Sequence, residues 1–85
     1  MVYVDSEKLT DLIAEAGKTH DDFLVQAGIS KQAFYRIVFH GGPIMVTTLK
    51  KVSGALGVSA VSLLDQARTP PRYVDVVWNT DIGRW

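Results

Sequence analysis

Residues 20–37, HDDFLVQAGISKQAFYRI, leave this chain few ways to fold. Phe23, Leu24 and Ala27 make the apolar face of a short helix, and Gly28 follows where that helix must stop. Glycine takes positive φ without steric cost, so the helix can end and the chain can turn sharply. Ser30 then has an N-cap side chain, and Phe34 and Ile37 recur at helical spacing, so a second helix starts at once with a buried side of its own. Two short helices joined by a tight glycine turn form a helix-turn-helix pattern.

The other side of that second helix carries Lys31, Gln32, Tyr35 and Arg36. All four donate hydrogen bonds suited to phosphates or base edges, and a helix presenting such groups near its N-terminus is what the DNA major groove admits. The plainer reading of the same residues is a solvated helix face. Gln32 and Arg36 lie four apart and share a face, which suits a glutamine reading adenine and an arginine reading guanine in adjacent steps.

Three further helices are predicted around this pair. One runs from about residue 6 to 16, with Leu9, Leu12, Ile13 and Ala16 as its stripe, Asp5 or Ser6 as cap and Gly17 at its exit. The first helix of the pair opens at Thr19, whose T-x-x-D arrangement with Asp22 is a capping-box variant, and Asp21 and Asp22 suit the positive end of its dipole. The second runs from Lys31 to about Phe39 and ends in HGGP, a loop. The next helix covers about residues 46–56, with Val46, Leu49, Val52, Ser53 and Leu56 on one face and Gly57 and Val58 closing it. A short last helix follows Ser59, with Val61, Leu63 and Leu64 available to the core. Gly54 costs about 1 kcal/mol inside a helix relative to alanine, which predicts a close approach of another backbone there.

Eighty-five residues make one domain, and a chain this short buries roughly 60 to 65% of its unfolded surface. With no cysteine, neither a disulfide framework nor a thiolate site is available and the fold rests on packing. No basic stretch followed by an apolar core opens the sequence, and no apolar run approaches about 18 residues, so a soluble, cytoplasmic protein is expected. The net charge is zero, whereas nucleic-acid binders tend to be basic. The distribution is uneven, however: residues 23–64 hold no Asp or Glu but do hold Lys31, Arg36, His40, Lys50 and Lys51. A positive face on a neutral molecule is therefore expected, with modest affinity per protomer.

GISKQAFYRI at the turn and TLKKVSGALGVSAVSLL further on resemble the lambda-repressor-like (Cro/XRE) helix-turn-helix family over about residues 6–65. The resemblance implies an all-α fold, a compact five-helix bundle filling residues 1–66, and a dimeric transcription regulator that binds palindromic duplex operators as a repressor of phage, plasmid or mobile-element type. It would be nucleoid-associated when bound. By position, Lys31, Gln32, Ala33, Tyr35 and Arg36 fall where the family contacts bases and nearby phosphates. Thr19 and His20 fall at the phosphate-contacting start of the preceding helix, His20 in place of a usual glutamine. His40, Gly41 and Gly42 match a loop that grips phosphate from the other side. Leu24 and Ala27 look exchanged in size against the family pattern, which implies a shifted crossing. Val38 and Phe39 replace a customary polar pair, and Phe39 is expected to pack under the HGGP loop. Tyr35 either touches a sugar or thymine methyl or covers Phe39 one turn on.

Residues 67–85 form an extension in which TPPR interrupts helix and YVDVVW alternates, with Val74, Val76 and Trp78 on one side and Tyr73, Asp75 and Val77 on the other. This predicts a half-buried β-strand. Its partner would be the N-terminal VYV, the IGRW that follows, or the same strand of a second copy, as in small repressors that dimerise in this way. Tyr73, Val74, Val76 and Trp78 are the candidate dimerisation residues, with Trp78 and Trp85 as anchors.

No metal, cofactor or catalytic role is expected. Asp21 and Asp22 point about 100° apart on a helix and do not converge with His20 or His40. Ser30, Ser53, Ser59 and Ser62 read as caps and surface, with no base placed beside them. The competing function is a protein-binding module, such as an antitoxin or regulatory partner, using Tyr35, Phe39, Ile44 and Met45 as its patch.

Overall fold

A computed structural model describes residues 1–81. Its helices are α1 (Ser6–Glu15), α2 (His20–Ala27), α3 (Lys31–His40), α4 (Val46–Leu56), α5 (Ala60–Leu63) and α6 (Pro71–Asp81). The first five follow the expected order and spacing. Their starts are set by side-chain oxygens that accept orphan backbone N–H groups: Asp5 from Lys8, Thr19 from Asp22, Ser30 from Ala33 and Ser59 from Ser62. Gly28, at φ 70°, ends α2, and its N–H donates to the Leu24 carbonyl at 2.9 Å, so α3 starts three residues later at a new angle. At the far end of α4, the Val58 N–H reaches the Ser53 carbonyl at 3.1 Å, closing the expected glycine-ended motif at Gly57.

The core is one cluster. Phe23 and Phe34, both fully buried, meet at the α2–α3 crossing, and Leu9, Ile13, Ile37, Leu49, Val52 and Leu63 close around them. Leu24 and Ala27 are both buried. Outside the helix pair, Lys18 Nζ donates to the Gln26 side chain and to the Ala55 carbonyl, which ties the α1–α2 turn and α2 to α4.

Extended backbone lies at the N-terminus, not where the sequence predicted it. Val2 exchanges two 2.8 Å hydrogen bonds with Ile44, and Val4 lies opposite Leu64 in a second antiparallel bridge. The VYV segment therefore runs between the α3–α4 loop and the end of α5, burying Val2 and Val4. Thr69, 4% exposed, completes the seam: its hydroxyl accepts from the Tyr3 N–H at 3.1 Å and donates to the Asp65 carbonyl at 2.7 Å.

The predicted C-terminal strand is corrected by α6. Pro71 stands at the first helical position, where its missing N–H costs nothing and its fixed φ suits the helix. The Pro70 carbonyl accepts from Tyr73 and Val74, so the prolines start a helix where they were expected to prevent one. Tyr73, Val74 and Val77 then face the bundle at helical spacing, with Val77 only 1% exposed, while Val76 and Trp78 turn outward. The edge on which strand-to-strand pairing of two copies depended is therefore missing from residues 73–78, and VYV pairs with Ile44 and Leu64 instead. The IGRW strand and the Trp85 anchor lie outside the described residues. Gly54 also departs from expectation: a methyl group placed on it meets nothing within 4 Å.

Candidate nucleic-acid interface

The candidate site is built on α3. Phe34 and Ile37 fix one side of the helix in the core, and this turns Lys31, Gln32, Tyr35, Arg36, Phe39 and His40 to the surface. Ala33, half-buried on the flank, contributes its backbone N–H to the Ser30 cap. Gln32, Tyr35, Arg36 and His40 together line one open hollow. Four of the residues picked from the sequence are thus adjacent in space, and a helix register locked by two buried side chains holds their backbone still.

Aromatic rings run along the same helix. The His20 ring meets Phe34 edge-on at 5.0 Å between centroids, placing the first turn of α2 beside α3. Tyr35 is tilted against Phe34 at 6.2 Å and against Phe39 at 5.3 Å, and Lys31 Nζ lies 5.8 Å from the Tyr35 ring centre. The packing reading of Tyr35 is therefore realised, although its ring still contributes to the exposed face. Phe39 is corrected: it does not pack under the HGGP loop but is 67% exposed, one turn beyond Tyr35. At the loop itself, Gly41 takes φ 58° and the Gly42 N–H bonds back to the Arg36 carbonyl at 3.0 Å.

Thr19 and His20 open α2, whose first turn meets α3 through the His20 ring on Phe34. The Thr19 hydroxyl is committed to the Asp22 N–H, so what this turn offers a ligand is backbone N–H groups and the His20 ring. Asp21 and Asp22 sit in that turn as well and bring negative charge to its edge. His40 closes α3 beside Gly41. Of the apolar patch weighed as an alternative, Tyr35, Phe39 and Met45 are exposed, but Ile44 is buried against Val2 and drops out. Met45 instead borders a separate apolar hollow with Met1, Val46, Thr47 and Tyr73. Tyr73 and Val74 pack against the core, leaving Val76 and Trp78 as the exposed members of the four candidate dimerisation residues.

One participant had no signal in the sequence. Arg68, in the turn between α5 and α6, donates from Nη2 to the Gly41 carbonyl at 2.8 Å and stacks on the Tyr3 ring at 4.3 Å. A lone arginine 27 residues from its partner belongs to no periodic pattern.

Among the described residues, no group of three or more His, Cys, Asp and Glu is arranged to hold a metal ion, and no helix is long and apolar enough to cross a membrane. No family model matches the chain, and no curated protein matches it. Among solved structures, it is similar to a chain of the SinR protein/SinI protein complex, with a TM-score of 0.66 and 22% identity over 88% of this chain and 76% of that one. At that identity the likeness is one of fold.

Proposed function

We propose that this chain is a sequence-specific double-stranded DNA-binding transcriptional regulator of the lambda-repressor-like (Cro/XRE) type, acting as a cytoplasmic, nucleoid-associated homodimer. The observation that carries this reading is the α3 face: Lys31, Gln32, Tyr35, Arg36 and His40 are exposed together on a helix held in place by buried Phe34 and Ile37. Gln32 and Arg36 read base edges in the major groove, and Lys31 supplies a phosphate contact. The first turn of α2 offers backbone N–H groups to a phosphate on one side, and the His40 side chain beside the Gly41–Gly42 turn does so on the other. Ala33 and Tyr35 supply apolar contact to thymine methyls or sugar. No covalent step and no cofactor enter this function.

The acid-free stretch of residues 23–64 supports the reading despite the zero net charge, because α3 lies wholly inside it and carries no carboxylate of its own. Pairing of two copies falls to α6, which exposes Val76 and Trp78, the latter at 47%. A second reading, a protein-binding module, is favoured by one observation, the exposure of Phe39 beside Tyr35, since aromatic anchors of this kind are common at protein interfaces.

The deciding experiment is selection from a randomised duplex library at two salt concentrations, with the intact chain and with Gln32→Ala and Arg36→Ala. A DNA regulator enriches a defined site, loses affinity steeply with salt, and loses preference at one base step in each variant. A protein module enriches nothing and shows no salt-dependent retention on duplex.

A further inference from the structure

Arg36 is a long, flexible side chain on an exposed helix face, and a base-reading arginine must be held before it can discriminate. Its aliphatic stem does not hang in solvent. A methyl group built on Gly42 would lie 2.7 Å from Arg36 Cγ and 3.2 Å from Cδ, so the stem rests against the bare α-carbon of Gly42. Gly42 is itself tied to Arg36 through the hydrogen bond from its N–H to the Arg36 carbonyl.

The loop carrying Gly42 is fastened at both ends. Past Pro43, Ile44 is locked to Val2 by two backbone hydrogen bonds of 2.8 Å each. Ahead of it, the Gly41 carbonyl accepts from Arg68 Nη2 at 2.8 Å, and the Arg68 guanidinium carbon lies over the Tyr3 ring, 4.3 Å from its centre. Asp65 Oδ1 accepts from the Arg68 backbone N–H at 3.3 Å, which fixes the turn from which Arg68 reaches. The N-terminal segment and the turn before α6 thus converge on two glycines under one side chain of the candidate interface.

From this we infer that Arg68, stacked on Tyr3, is a positioning residue for Arg36: it clamps the Gly41–Gly42 loop into the floor on which the Arg36 stem lies. Arg68 is engaged with Gly41 and Tyr3 and acts on recognition through that floor, without touching DNA. Only glycine at 42 leaves room for the stem, and only a planar, forked cation at 68 both stacks and donates.

The test has two arms, and only the second rests on the DNA reading. In the first, the Nε–Hε resonance and heteronuclear NOE of Arg36 are measured by NMR, without DNA, in the intact chain and in Arg68→Ala, Arg68→Lys, Gly42→Ala and the control Arg72→Ala. We expect the Arg36 NOE to fall in the first three and to stay unchanged in the control, with amide spectra showing every variant folded. An Arg36 signal indifferent to Arg68→Ala overturns the inference. In the second arm, Arg68→Ala is expected to flatten base preference at the step that Arg36→Ala flattens, by about three- to tenfold, the size of one ordinary hydrogen bond. The salt dependence should not change. A uniform loss across all sequences, with the salt slope reduced by about one phosphate, would instead make Arg68 a direct phosphate contact and overturn the positioning role. If the intact chain selects no duplex at all, the DNA reading fails, and the Arg36 NOE alone decides the clamp.

Discussion

Two glycines on this fold answer opposite physical demands. Gly42 lies under the Arg36 stem, whereas Gly54, on the exposed side of α4, has nothing within 4 Å of its missing methyl group. The unfolded chain gains entropy from Gly54 and the folded one gains no contact from it, so Gly54→Ala should stabilise by about 0.5–1 kcal/mol. In a domain of this size that raises Tm by about 4–8 °C per kcal/mol, which thermal denaturation followed by circular dichroism resolves. An unchanged or lowered Tm would mean that α4 bends or meets a neighbour at that point. The sequence could only say that a mid-helix glycine needs a reason, and a close backbone was the commonest one; absence of a constraint leaves no mark in a sequence. Caps were legible for the converse reason. Thr19, Ser30 and Ser59 each act within three residues of themselves, so their chemistry is written locally. The same locality made Lys31, Gln32, Tyr35 and Arg36 legible as one face, while Arg68, acting across 27 residues, was not.

At the scale of elements, the period of residues 73–78 had two solutions. Tyr73, Val74, Val76, Val77 and Trp78 satisfy alternation if Val74, Val76 and Trp78 share a side, and they satisfy a helix if Tyr73, Val74 and Val77 do. Six residues are too few to separate a period of 2 from one of 3.6, and Pro70–Pro71 was weighed as a breaker when Pro71 serves as the first residue of a helix. The two solutions put different valines in the core, which makes the difference measurable. Val77→Ala should cost about 1–3 kcal/mol in urea denaturation, while Val76→Ala should stay within about 0.5 kcal/mol. The reverse order of costs would restore the strand. The N-terminal seam offers a second test at this scale. Thr69→Val keeps the shape but leaves the Tyr3 N–H without its acceptor, at a cost of about 1–3 kcal/mol, and Thr69→Ser, which keeps the hydroxyl, should recover most of it. An equal loss in both variants would assign the role of Thr69 to its methyl group.

For the molecule as a whole, size decides how recognition has to work. A helix of 10 residues is about 15 Å long, and with base pairs stacked about 3.4 Å apart α3 spans about four of them. Four base pairs cannot single out a site among the roughly 10⁶–10⁹ competing positions of a genome. The neutral charge balance denies the chain a strong non-specific attraction to make up the difference. Doubling the reading head is the remaining route, with two copies setting their α3 helices about 34 Å apart, one turn of the duplex. We therefore expect selected duplexes to carry an inverted repeat of about four base pairs, centred about 10 base pairs apart. Binding to that repeat should steepen with protein concentration, and a single half-site should bind far more weakly. Trp78→Ala, at the exposed side of α6, should weaken the repeat without altering preference within a half-site, since it removes contact between copies and leaves α3 untouched. Sedimentation of the free protein beside titrations on whole and half sites reads all three. A single asymmetric site bound hyperbolically would keep α3 as a reader of DNA and remove the dimer, whereas a repeat insensitive to Trp78→Ala would move the pairing surface to the apolar hollow around Met1 and Met45.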